Sequence, residues 1–263
     1  MFSQEPRQAF RKNQLMEVIC QLRFPEILTI AAKAPADFQE LIRGDYPQYT
    51  ARKEAPAPKL TGAPGNFTLQ NQPETINYQF ASADGTWRVN LTSKFISLAC
   101  SRYTNWEDFA QKLDLPLAAF IKTYKPAYFE RVGLRYINAF SRKQLDLEGV
   151  PFRELLQPCY LGILAEEDVQ ETATTRSSLD TEVNLRGGCR AKIHAGPGMI
   201  RRPGKAEDKE VYFILDNDLF MSGNVPVNLS TGAMQTLHQQ ADSLFLGAIT
   251  DRLRDAMEPL EYL

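Results

Sequence analysis

The sequence predicts an α+β protein, with antiparallel sheets that carry helices on one face and a long C-terminal helix. Several short segments alternate apolar and polar residues with a period of two, which is typical of half-buried strands. Turn signals such as Asp84-Gly85 and Gly187-Gly188 separate some of them, and strands joined by tight turns pair antiparallel. The last segment instead carries apolar residues at helical spacing, and we expect that stripe to pack on the sheet.

The first half of the chain, residues 1–148, is predicted to form one α+β half-domain. Its strands are expected at residues 16–24, 76–80, 87–91, 95–100 and 132–140, and its helices at 35–43 and 106–124. Thr104 and Glu107 match a capping box for the second helix, and Pro116 is expected to kink or divide it. Residues 50–73 are rich in proline and glycine and predict a long irregular connection, either mobile or functional.

The second half, residues 149–263, is predicted to form a second half-domain, and the sequence leaves open whether both halves share one sheet. A short helix is expected at 152–156, strands at 169–175, 179–185, 190–195 and 210–216, and the closing helix at 228–257. Phe245 lies in the apolar stripe of that helix, whereas Asp242 is assigned to its polar face.

Composition excludes several classes of protein. The 263 residues are 43% hydrophobic and 24% charged, as in ordinary soluble proteins, and the net charge of −2 argues against a surface that coats nucleic acid or membrane. No apolar run reaches the ~18 residues of a membrane span, and the first residues lack the apolar core of a secretory signal. Cys20, Cys100, Cys159 and Cys189 are widely spaced without a C-x-x-C pair, which favours a reducing cytoplasm.

Four segments carry a family resemblance. They are EVICQLRFP at residues 17–25, WEDF at 106–109, RVGLRYIN at 131–138 and LH at 237–238. In these segments the chain resembles a sporadically distributed family of uncharacterised prokaryotic proteins of about this length. The resemblance implies no catalytic residue or enzymatic activity. The patchy distribution of that family implies an accessory role, for example in a defence or toxin–antitoxin-like locus.

The segment at 131–138 is the richest in candidate site residues. On a strand, Arg131 and Arg135 lie about 13 Å apart on one face, and Gly133 between them leaves room for a ligand or another backbone. One interpretation is a carboxylate or phosphate pocket that Arg23 joins. The alternative, which we favour, is structural pairing of these arginines with Glu17 or Glu130.

Two other segments suggest weaker candidate sites. Asp216 and Asp218 follow a predicted strand and can hold Mg²⁺ on one face, although such residues at strand ends usually form turns. The basic loop at 196–205 contains Arg201 and Arg202, but it lacks the spacing of a phosphate-binding loop. It is interpreted as a solvated loop, with contact to an acidic partner as the alternative.

The two histidines do not predict a catalytic centre. Cys189 and His194 are separated by an odd number of residues on a predicted strand, so they face opposite sides and cannot form a nucleophile pair. His238 is expected to be hydrogen-bonded and partly buried on the last helix. No residue pattern indicates a cofactor.

These observations together predict a non-catalytic cytoplasmic binding or regulatory protein whose partner is another protein, with homo-oligomerisation also compatible and no membrane partner. The alternative is a binder of a nucleotide or nucleic-acid end that uses Arg131, Arg135, Arg201 and Arg202. A third and weaker hypothesis is a Mg²⁺-dependent enzyme that uses Asp216 and Asp218.

Overall fold

A computed structural model describes residues 1–54, 59–63, 66–70, 74–200 and 209–260, with the backbone alone for 59–63 and 66–70. The strands are β1 (Leu15–Arg23), β2 (Gln48–Glu54), β3 (Lys59–Ala63), β4 (Asn66–Gln70), β5 (Thr75–Ala81), β6 (Trp87–Leu91), β7 (Phe95–Cys100), β8 (Phe129–Phe140), β9 (Leu179–Asn184), β10 (Cys189–Gly198) and β11 (Tyr212–Val225). The helices are α1 (Leu28–Ala32), α2 (Ala36–Ile42), α3 (Trp106–Tyr124), α4 (Ser230–Leu246) and α5 (Asp251–Ala256). Short 3₁₀ turns occupy much of the connection between β8 and β9.

Nine of the described strands form one antiparallel sheet in the order β2-β5-β6-β7-β1-β8-β11-β10-β9, and β3 and β4 form a separate pair. The strands of the first half lie side by side from β2 to β8, and those of the second half continue from β11 to β9. The junction is the long antiparallel pair β8–β11, with Leu134 opposite Leu219. The α+β prediction is confirmed, and the strands of both halves belong to a single sheet.

The helices pack on one face of this sheet because every second residue of each central strand is apolar. On β8 the covered positions include Val132 and Leu134, both fully buried, and Phe129 packs beside Phe120 of α3. On β11 the covered positions include Phe213 and Leu215, also fully buried. The alternate side chains, which face away from the helices, include charged residues on both strands, Arg131 and Arg135 on β8 and Asp216 and Asp218 on β11.

The predicted irregular connection at 50–73 is wrong in part, because β2 begins at Gln48 and β3 and β4 follow it. All seven residues of β2 are exposed, and β2 is the outermost strand of the sheet. An exposed edge strand buries neither face, so it has no apolar alternation that would reveal it. Residues 55–58, 64–65 and 71–73 lie outside the described part of the chain.

Helix α3 continues through Pro116, so the proline does not divide the helix, although division was one of the two predicted outcomes. Proline leaves the carbonyl four residues earlier without its helical donor, and here the Tyr46 hydroxyl donates to that Lys112 carbonyl at 2.9 Å. The N-cap is Asn105, whose side chain accepts from the Asp108 amide at 2.8 Å, so the predicted capping box at Thr104 is displaced by one residue.

The predicted closing helix is in fact two helices, α4 and α5. Gly247 ends the first, and Thr250 caps the second by accepting from the Leu253 amide at 3.3 Å. The expected strand at 169–175 is also wrong, because that stretch contains only the 3₁₀ turn Glu171–Ala173. Conversely, β11 extends to Val225, so Asp216 and Asp218 lie within a strand and do not form a turn.

Candidate functional site

The candidate arginines lie on the sheet face that is turned away from the helices, which we call the uncovered face. Arg131 Nη2 donates to both carboxylate oxygens of Asp218, at 2.6 and 2.7 Å. Arg135 donates to Asp216 through Nε at 2.7 Å and also through Nη2. Both aspartates are therefore held by guanidinium groups across the β8–β11 pair, and the partners are not Glu17 or Glu130.

Gly133 makes room for the Arg131 side chain rather than for a ligand. Arg131 lies opposite Ser222, so it must extend along the strand to reach Asp218, and its guanidinium passes over Gly133. A Cβ atom at position 133 would lie 2.1 Å from Arg131 Nη1. The same guanidinium is 4.5 Å from the ring centroid of Phe220, which faces Gly133 across the strand pair.

In these ion pairs the arginines of the predicted anion pocket are bonded to the aspartates of the predicted metal site, so protein groups already occupy both sites. Arg131 and Asp218 are mostly buried, whereas Arg135 is 45% exposed. Among the described residues no group of three or more His, Cys, Asp and Glu side chains could hold a metal ion. Arg23 lies on the same face, opposite Arg131 in the β1–β8 pair. Arg201 and Arg202 lie outside the described residues.

A polar groove of about 620 Å³ occupies the uncovered face on the other side of β1. It crosses five neighbouring strands, β2, β5, β6, β7 and β1. Carboxamides dominate its lining, with two arginines, two hydroxyls and a few apolar side chains between them. The polar lining residues are Gln21, Gln48, Thr50, Arg52, Asn77, Gln79, Arg88, Asn90 and Ser97. We call this set of strands and side chains the amide groove.

The carboxamides of the amide groove are partly linked to one another. Gln79 Nε2 donates to Asn90 Oδ1 at 2.9 Å, and Asn90 Nδ2 donates to Ser97 Oγ at 3.3 Å. Asn77 Nδ2 donates to Glu54 at 2.8 Å, but the buried Asn77 Oδ1 has no hydrogen-bond partner within the described part of the chain. An unpaired buried acceptor is costly, so this position is suited to a donor from outside the chain.

At the opposite end of the uncovered face the charges are paired. His194 Nδ1 lies 2.8 Å from Asp180, and Arg190 lies 3.1 Å from Glu182. Cys189 is buried on the helix side of β10, so the structure separates it from His194 as the residue parity predicts. The uncovered face thus carries cations and carboxylates in alternation, with no broad region of one sign in the described strands.

His238 is buried on the helix-covered side and not partly exposed. Its ring stacks on Trp106 with centroids 4.5 Å apart, and Nδ1 lies 2.9 Å from the Tyr136 hydroxyl. Burial, together with the charge of Arg7, lowers the pKa of His238 to about 4. Burial also raises the pKa of Cys20 to about 12, so this thiol is a poor nucleophile.

Sequence reasoning identified the arginines but missed the amide groove. A signal was present, because the outward positions of β5 and β6 carry Asn77, Gln79 and Asn90. Asparagine is among the residues that are depleted in strands, so its recurrence on adjacent strands is unusual. The run of carboxamides on neighbouring strands became visible only once the pairing of those strands was known.

Comparison of the chain with models of protein families finds no match. Comparison with curated protein sequences also finds no significant similarity. In the described part of the chain, no helix combines the length and the apolar character needed to cross a membrane.

Proposed function

We propose that the protein is a non-catalytic, cytoplasmic binding protein whose amide groove receives an extended segment of another protein. The observation that carries this proposal is the set of carboxamides and hydroxyls that crosses five adjacent strands on the uncovered face. The ion pairs of Arg131 and Arg135 lie outside this groove.

The chemistry of the groove complements a polypeptide backbone. Each carboxamide offers both a donor and an acceptor, and each peptide unit also presents one N–H and one C=O. Five strands span about 19 Å at the usual spacing, which is the reach of about six extended residues. Asn77 Oδ1, which no described residue satisfies, is the acceptor that we assign to one peptide N–H.

The charge pattern favours a polypeptide over a nucleic acid. A nucleic-acid surface needs an excess of lysine and arginine, because phosphate contacts supply most of the affinity. On the uncovered face, however, Arg88 is bonded to Glu17 at 2.8 Å, and Arg131 and Arg135 are bonded to aspartates. These arginines have little unsatisfied charge to offer phosphate.

The test is selection of peptides of about ten residues from a random display library. Thr50→Trp places an indole in the groove, and Ala51→Trp is the matched control because it adds the same side chain to the other face of β2. Both positions are exposed, so neither substitution disturbs the core. We expect the wild type and Ala51→Trp to enrich the same peptides and Thr50→Trp to enrich none.

Salt dependence separates this proposal from its alternative. Binding of a largely uncharged backbone should change little between about 50 and about 200 mM salt, whereas phosphate contacts lose affinity steeply over that range. Equal enrichment by both tryptophan variants would place the binding elsewhere. Failure to enrich any peptide, together with steeply salt-dependent binding of single-stranded oligonucleotides, would replace the proposal with nucleic-acid binding.

A further inference from the structure

A small cavity of about 80 Å³ lies on the opposite side of the sheet from the amide groove, beneath the N-terminal segment. Its floor is formed by Asn138 of β8 and Asn217 of β11, which are 2% and 1% exposed. Asp242 and Phe245 of α4 form one wall, and Phe10 of the N-terminal segment lies opposite. We call this space the Asp242 cavity.

The N-terminal segment, residues 1–14, is fixed over this cavity by backbone contacts. The Ser3 amide donates to the Ser243 carbonyl at 2.9 Å, and the Arg11 amide donates to the Glu258 carbonyl at 2.9 Å. Phe10 meets Phe245 edge to face, with ring centroids 6.0 Å apart. The cavity is therefore roofed by an ordered part of the fold.

Two acceptors line the cavity, and they differ in how well the described chain satisfies them. Asn217 Oδ1 is buried and has no hydrogen-bond partner among the described residues, whereas the Asp242 side chain is 29% exposed and has Arg7 as its ion-pair partner. The Asp242 carboxylate lies 3.2 Å from His238 Nε2, but without the alignment of a hydrogen bond, and 3.6 Å from Arg7 Nε. Such acceptors on neighbouring walls of one cavity are suited to a donor that the described chain does not supply.

The charges of the groups around the cavity favour a cation as this donor. Arg7 is already neutralised by Glu107, to which it donates twice at 2.8 and 3.3 Å. His238 is neutral because burial and Arg7 lower its pKa to about 4, and Tyr103 and Tyr136 are neutral because burial raises their pKa. The Asp242 carboxylate is then the one charge around the cavity that no other described group balances. In the empty cavity burial raises the pKa of Asp242 to about 7, which is the expected behaviour of a carboxylate that lacks a counterion.

We propose that the Asp242 cavity binds a small primary ammonium ion, with its N–H donors directed to Asp242 and Asn217 Oδ1. A volume of about 80 Å³ is more than a single water molecule needs, so the cavity admits a group of a few non-hydrogen atoms. The rings of Phe10 and Phe245 line the space and accept both a short alkyl chain and the positive charge. This site is independent of the amide groove.

Ethylammonium is a suitable probe because it has three non-hydrogen atoms. The best affinity attainable by so small a ligand corresponds to a Kd of about 0.5 mM. At about 10 mM, ethylammonium chloride should raise the Tm of the wild type by a few degrees, relative to the same concentration of potassium chloride. Ethanol, its uncharged analogue, should not raise it.

Three variants locate the site. Asp242→Asn removes the counterion and should abolish the Tm shift, whereas Asp255→Asn, an exposed aspartate on α5, should keep it. Ala241→Leu fills the cavity while it retains Asp242, and it should also abolish the shift. This second cavity variant keeps the test decisive if Asp242→Asn does not fold.

The pH dependence provides a separate readout by calorimetry. The ammonium ion binds the ionised form of Asp242, so its Kd should be about fiftyfold weaker at pH 5 than at pH 7. The groups that face Asp242 are Arg7, Glu107, His238, Tyr103 and Tyr136. Their pKa shifts, upward for Arg7 and the tyrosines and downward for Glu107 and His238, all move titration away from the range between pH 5 and 7.

Three results would overturn the proposal. An equal shift with ethanol, or an undiminished shift in Asp242→Asn, would show that the carboxylate does not recognise the ligand. Absence of any shift in the wild type at pH 7 to 8 would show that ordered water alone satisfies Asn217 and Asp242.

Discussion

On strand β8 the side chains directed at the helices and those directed away from them have opposite chemistry. Val132 and Leu134 are fully buried under helices, whereas Arg131 and Arg135 form ion pairs on the uncovered face. The same division continues across the sheet to Asn77 and Asn90 in the amide groove. The comparison teaches that the packing that stabilises the fold lies on one face of these strands and the groove that we propose for binding lies on the other, so each can be altered with limited effect on the other.

The largest expected effect is on the covered face. Leu134→Ala should lower the free energy of unfolding by about 2–5 kcal/mol, because the side chain is fully buried and its removal leaves a cavity. Urea denaturation measures this loss. A loss below about 1 kcal/mol would show that the covered face is loosely packed. It would contradict the contrast drawn between the two faces.

The second prediction concerns two titrating groups on the covered side. The folded pKa of Asp242 is raised to about 7, so its contribution to stability is full below pH 4 and falls as pH rises to 7. The folded pKa of His238 is lowered to about 4, so its contribution is full above pH 6.5 and is lost as pH falls to 4. Between pH 4 and 6.5 a rise in pH therefore decreases the contribution of Asp242 to stability and increases that of His238.

Asp242→Asn should therefore reveal how the free energy of unfolding depends on pH through His238 alone. The variant's own free energy of unfolding should fall by at most about 3 kcal/mol between pH 6.5 and 4, whereas in the wild type the opposing contribution of Asp242 offsets most of this fall. Asp255→Asn, which removes an exposed carboxylate, is the control and should follow the wild type. Parallel pH profiles for Asp242→Asn and the wild type would mean that Asp242 is ionised throughout the range.

The third prediction concerns the more buried ion pair on the uncovered face. Arg131→Ala leaves Asp218 without its bidentate partner and should cost about 2 kcal/mol. Replacing Asp218 with alanine as well should restore part of that loss, since no charge is then left unpaired. Gly133→Ala displaces the same guanidinium and should reproduce the effect of Arg131→Ala in thermal melting.

The smallest effect is expected at Arg135, which is 45% exposed. Arg135→Ala should cost about 1 kcal/mol or less, because water screens a half-exposed ion pair. The anion-pocket hypothesis gives the opposite pattern, in which phosphate stabilises the wild type but not the variant. Thermal melting of both proteins with and without phosphate distinguishes the two.

The parts of the fold that follow local rules were predictable from sequence. The alternation of apolar residues located β1 and β8, and helical spacing located α3 and most of α4. The exposed strand β2 has no such signal, and the break before α5 depends on Thr250, which also bonds to the Leu155 carbonyl. That contact joins residues far apart in sequence, so local patterns cannot reveal it.

For the candidate sites, the sequence identified some of the residues but not the contacts between them. Arg131 and Arg135 were identified, but their partners Asp218 and Asp216 depend on the register of β8 against β11. For the Asp242 cavity a signal did exist, because Asn138 and Asn217 occupy positions of the covered face that otherwise hold apolar residues. A polar residue at such a position indicates a buried partner or ligand.

The central claim is that the amide groove serves binding and contributes little to stability. The double variant Gln79→Ala with Asn90→Ala removes both partners of one hydrogen bond and the donor to the Ser97 hydroxyl, so its free energy of unfolding should fall by no more than about 2 kcal/mol. Its affinity for peptides selected on the wild type should fall about tenfold or more. Unfolding and peptide titration on the same preparation test this most directly. A loss of stability as large as that of Leu134→Ala, with peptide affinity unchanged, would contradict the account.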